Sequence, residues 1–162
     1  MAIAMLSWLL AIPLLGVTTG LRVMTPMAML CWFAYLGYLP VQNTWAAWTG
    51  RLAAAIVFTV LALAEIVADK FPQMSNRVST GPLMARLIFG GLIGSIAATA
   101  MVGPGLEGVL LGVLGAALGA FAGFLVRRDM VQRIDCPDWQ VAMAEDIIAV
   151  ACSGFALHVL TN

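Results

Sequence analysis

Six ionisable residues in an otherwise oily chain fall where they could act together: Arg22, Glu65, Asp69, Arg86, Glu145 and Asp146. Carboxylates gathered at one site bind a small cation or a proton, and neighbouring guanidiniums set their pKa values. Glu65 and Asp69 are four residues apart, so a helix carries both on one face. Arg86 follows Pro82 by four residues, about 6 Å into a helix that starts there. Glu145 and Asp146 lie about 10 Å inside a helix opened by Asp138, and Arg22 sits between two apolar runs. These positions predict similar depths at one end of a helix bundle, and hence a charged vestibule that binds a small ion or solute. A plainer reading stands beside this one. Glu65, Asp69 and Lys70 would end a helix among lipid headgroups, while Arg22 and Arg86 would reach phosphates with their long side chains. Glu145 fits that reading least, because a deep charge costs at least ~2.5–3.5 kcal/mol and glutamate is too short to reach far.

The elements that position these residues follow from composition. The 162 residues are 62% hydrophobic and 10% charged, with mean hydropathy +1.00. A soluble domain carries about 25% charged residues. This chain cannot cover a water-facing surface, so its outer solvent is lipid. The expectation is an all-α, polytopic membrane helix bundle in a single domain, 1–162. Six apolar stretches, near 3–18, 26–39, 51–68, 82–102, 105–126 and 139–160, predict six transmembrane or re-entrant helices. The first two are short and form either a tight spanning hairpin or a re-entrant pair. Prolines at Pro26 and Pro82 mark first helical positions, Asp138 caps the last helix, and "VGPG" (102–105) is a turn. The N-terminus lacks the basic region of a signal peptide and reads as the first helix. Glycines four apart, Gly108/Gly112, Gly115/Gly119 and Gly90/Gly94, predict close helix packing.

Basic residues set the expected orientation. Arg22, Lys70, Arg77, Arg86, Arg127, Arg128 and Arg133 all fall on one side, and Arg51 alone on the other. Short loops rich in Arg and Lys stay cytoplasmic, which predicts a plasma (inner) membrane protein with both termini outside. Zero net charge argues against a nucleic-acid partner; the expected partners are the lipid bilayer and a homo-oligomer or larger membrane complex. No cofactor fingerprint or metal-ligand spacing appears among the three cysteines, and no nucleophile constellation surrounds His158. The chain is not expected to be an enzyme.

The segments "TTGLRVMTPMAML", "LALAEIVADKFP" and "AMAEDIIAV" resemble the bacterial membrane-protein family called domain of unknown function 4126. Residue by residue, the resemblance singles out Arg22, Glu65, Asp69, Lys70, Pro72, Glu145 and Asp146; the family's name assigns no activity. "TTGLRVMTP" and "VSTGPLMAR" are also alike, each a hydroxyl–Gly break with an Arg and a nearby Pro. Corresponding breaks in two halves are a mark of inverted-repeat transporters, here three helices plus three. The expected function is thus a small transporter- or channel-like protein, with an accessory or assembly subunit of a larger complex as the alternative.

Overall fold

In the computed structural model the described residues, 2–68, 80–133 and 138–161, are helical almost throughout. They form α1 (Ala2–Leu21), α2 (Met24–Tyr35), α3 (Leu52–Ala68), α4 (Thr80–Ala100), α5 (Gly105–Arg133) and α6 (Asp138–Thr161), with a 3-10 helix (Trp45–Gly50) ahead of α3. Lipid offers backbone groups no hydrogen-bond partner, so apolar segments satisfy their own N–H and C=O groups as helices. Helices α4, α5 and α6 are long and apolar enough to cross a membrane; the apolar parts of α1 and α3 are shorter. The protein is a membrane helix bundle. Helix α2 has 12 residues, about 18 Å against a hydrocarbon core of about 30 Å. Residues 36–44 and the 3-10 helix complete its return.

Three expected boundaries move. Pro26 and Pro82 are the third residues of α2 and α4, not the first. The physical reason for tolerance is unchanged, since the N–H groups of a first turn have no intrahelical acceptor. Helix α5 continues past 126 to Arg133, so Arg127 and Arg128 are helical rather than part of a connection. The 3-10 helix was not foreseen; its start is capped by the Thr44 hydroxyl, which accepts from the Ala46 N–H.

Glycine decides how the helices meet. A Cβ at Gly94 would overlap the Gly108 carbonyl oxygen, and one at Gly112 would overlap that of Gly90, so α4 and α5 run antiparallel with backbones touching. Gly16 lies against Gly112, Gly115 and Ala116, and Gly20 against Ala116, Gly119 and Ala120. Helix α1 therefore runs parallel to α5, along a second seam beside the first. Packing and close backbone approach, rather than expulsion of water, hold such seams together in lipid. Around them gathers an apolar core that includes Ile12, Leu15, Met27, Leu30, Ile93, Ile96 and Leu157. The Trp32 indole donates to Thr59 at 3.0 Å and ties α2 to α3, and the Trp45 indole reaches Thr99 at the far end of α4.

The turn after α4 holds an unusual residue. Val102 has φ +57°, a region where a β-branched side chain is strained. The Gly103 N–H closes the helix end on the Ala98 carbonyl at 2.8 Å, a pattern that normally places glycine at the left-handed position. Val102→Gly should raise stability by about 1 kcal/mol, seen as a higher melting temperature in detergent. Gly112→Leu should lower it by at least ~1–3 kcal/mol through overpacking. Gly81→Ala, which meets nothing within 4 Å, should be neutral in the same assay.

Candidate functional site

The chain breaks between α1 and α2 at Arg22 and Val23. A helix that restarts there exposes N–H groups with no acceptor in the preceding turn, and inside a packed bundle another group must serve them. Glu65 does. Its Oε1 accepts from the Val23 N–H and its Oε2 from the Met24 N–H, both at 2.9 Å. The carboxylate comes from α3, more than 40 residues away in sequence, and lies at the positive end of the α2 dipole.

Charged groups from three other helices reach the same end. Arg22 is 1% exposed, and its Nε meets Asp146 Oδ1 of α6 at 2.5 Å. Glu145, the neighbouring residue on α6, is 8% exposed and lies 3.5 Å from Nη1 of Arg127 on α5. Arg86 is buried on α4, one turn before Gly90 and on the same face. Breaking a buried pair by removing one partner is costly, because the other charge is left without compensation. Two threonines precede the break: Thr18 and Thr19 of α1 are buried, and both hydroxyls donate to the Leu15 carbonyl, at 2.8 and 2.7 Å.

Of the six residues singled out by sequence, Arg22, Glu65, Arg86, Glu145 and Asp146 thus gather at one end of the bundle. Direct contacts join Arg22 to Asp146, and Glu65 to the backbone beside Arg22. Asp69 lies outside the described residues, as do Lys70, Pro72, Arg77, Cys136 and the side chain of Asp138. Arg127 was missed, because the fifth helix was expected to end before it. The signal was present: the four-residue progression Gly115, Gly119, Gly123 continues to position 127, which places Arg127 on the inward face. Backbone N–H groups of Val23 and Met24, as partners for Glu65, carried no side-chain signal.

The Glu65 contact gives a graded expectation. Glu65→Ala removes both acceptors and should lower stability by about 1–3 kcal/mol. Glu65→Gln keeps one acceptor but turns a second N–H donor toward a backbone N–H, so its loss should be intermediate. Thermal unfolding of the three proteins in one detergent checks the order.

Residues 9–160 match the family described as Domain of unknown function (DUF4126). Among curated proteins the chain is 27% identical over 144 residues to Glycerol uptake facilitator protein 2 of Lactiplantibacillus plantarum. That match covers 76% of this chain and 58% of the relative, so the chain spans less than two thirds of the relative's length. No solved structure matches it. A family match across nearly the whole described bundle, including both sides of the charged end, places the chain: it belongs to the family of the domain of unknown function 4126.

Proposed function

We propose that this protein is a transporter-like facilitator for a small neutral polar solute, with the charged end of the bundle as its vestibule. The observation that carries this reading is the break between α1 and α2, whose two N–H groups are held by Glu65 from a third helix. Broken helices inside a bundle are where membrane transporters build their solute sites, and this break gathers Glu65, Arg22 and Asp146 at one point. Charge balance narrows the solute. Arg22, Arg86 and Arg127 share this end of the bundle with Glu65, Glu145 and Asp146, and two pairs are in direct contact. A vestibule so compensated has little net field to offer an ion, and its polar groups suit hydrogen bonding to a neutral molecule. The likeness to a protein named for glycerol uptake points the same way.

On this reading the six α-helices divide three and three. Arg22 stands at a break, whereas Arg86 lies within an unbroken α4, so an inverted repeat would have diverged at that point. The excess of basic residues at the vestibule end favours a cytoplasmic vestibule in the inner membrane. No step of bond making or breaking is assigned to the protein.

Reconstitution tests this. Proteoliposomes given a glycerol gradient should re-swell faster than protein-free vesicles in stopped-flow light scattering, while a pH dye and an ion panel register no flux. Arg22→Ala and Glu145→Gln should slow glycerol entry by about tenfold, the equivalent of ~1.4 kcal/mol. Wild-type rates equal to those of protein-free vesicles for every solute and ion would overturn the reading.

A further inference from the structure

Ser153 of α6 has no exposed surface, and its hydroxyl has no hydrogen-bond partner. Other hydroxyls of the bundle donate to a carbonyl of the preceding turn: Thr18, Thr19, Thr59 and Thr161 all do so. A buried polar group left unsatisfied is rare enough to require a reason.

Its surroundings supply one. Glu145, Ala149 and Ser153 follow at four-residue spacing on the buried face of α6. Opposite runs α1, antiparallel, with Leu15, Thr18, Thr19 and Arg22 all buried. Arg22 meets Asp146, so this stripe of α1 is turned toward α6. Seven residues beyond Asp146 is Ser153, and seven residues before Arg22 is Leu15; both steps are about 10 Å along their helices. Ser153 is therefore level with the Leu15 carbonyl, which already accepts from both threonine hydroxyls. Those threonine oxygens keep lone pairs for a further donor. A proton donor without an acceptor thus stands level with the turn of α1 that carries two hydroxyl oxygens.

We propose that the seam between α1 and α6 holds a subsite for a hydroxyl group of a small neutral solute. Ser153 donates to the solute oxygen, and Thr18 or Thr19 accepts its proton. Water and a polyol share this O–H chemistry, and the experiment separates them. The subsite rests on the transport reading above, but its test measures no flux.

In a chain with Cys31, Cys136 and Cys152 replaced by alanine, Ser153→Cys is treated with methyl methanethiosulfonate in proteoliposomes, with and without glycerol. A thiol reacts as its thiolate, which needs a polar, accessible setting. Modification should be about tenfold faster than at Val150→Cys, on the outward face of α6. Glycerol should slow it about threefold by occupying the site. A rate no faster than that of Val150→Cys means a dry seam and overturns the proposal. A fast rate indifferent to glycerol means water alone and overturns it equally. Protection by glycerol in a protein that moves no glycerol would keep the subsite and end the transport reading; flux without modification would do the reverse. Ser153→Ala gives an independent check: its melting temperature should stay level or fall, and a rise would reveal a dry, unsatisfied hydroxyl and overturn the proposal.

Discussion

A helix that restarts inside a packed bundle must find acceptors for the N–H groups it exposes, and this bundle depends on how that need is met. The interruption at Arg22–Val23 lets α1 and α2 run in opposite directions with almost no connecting loop. The carboxylate of Glu65 makes the interruption tolerable by accepting from both Val23 and Met24. In doing so it also fixes α3 against α2, an attachment that the Trp32–Thr59 hydrogen bond repeats farther along. The contact is local chemistry with a global effect: α3 packs chiefly on α2 and the 3-10 helix, and turns much of its remaining surface outward.

Around that point, charge is placed by compensation. A guanidinium buried without a partner would be costly, and one as deeply buried as Arg22 requires a carboxylate at contact distance. Asp146 meets that requirement. The pairing links α1 to α6, while Arg127 and Glu145 link α5 to α6. The two ion pairs therefore tie α6, which touches α5 only lightly along its length, to both α5 and the α1–α2 break. Replacing both members of such a pair by apolar residues is often neutral for stability, whereas removing one member is costly.

Much of this was legible in the sequence. Composition gave the solvent, and glycine spacing gave the seams of α5. The convergence of Arg22, Glu65, Arg86, Glu145 and Asp146 followed from counting helical turns from caps and prolines. What could not be read was the pairing. Depth along a helix is a one-dimensional quantity, whereas the choice of Asp146 rather than Glu145 for Arg22 depends on how α6 is rotated. Arg127 was lost for a different reason: two adjacent arginines look like a connection, and only the continued four-residue step shows that one of them turns inward. Val23 and Met24 contribute through backbone atoms that every residue owns, so their identities carried nothing to find.

The parallel seam between α1 and α5 has a consequence for biogenesis. Gly16 meets Gly112, 96 residues later in the chain. At roughly 5–20 residues per second, the ribosome needs about 5–20 s to deliver that partner after the first helix has emerged. Throughout that interval the glycine face of α1 borders lipid tails or translocation machinery instead of its eventual neighbour. Helix α1 is made before α5, yet its glycine face is covered only once α5 is present.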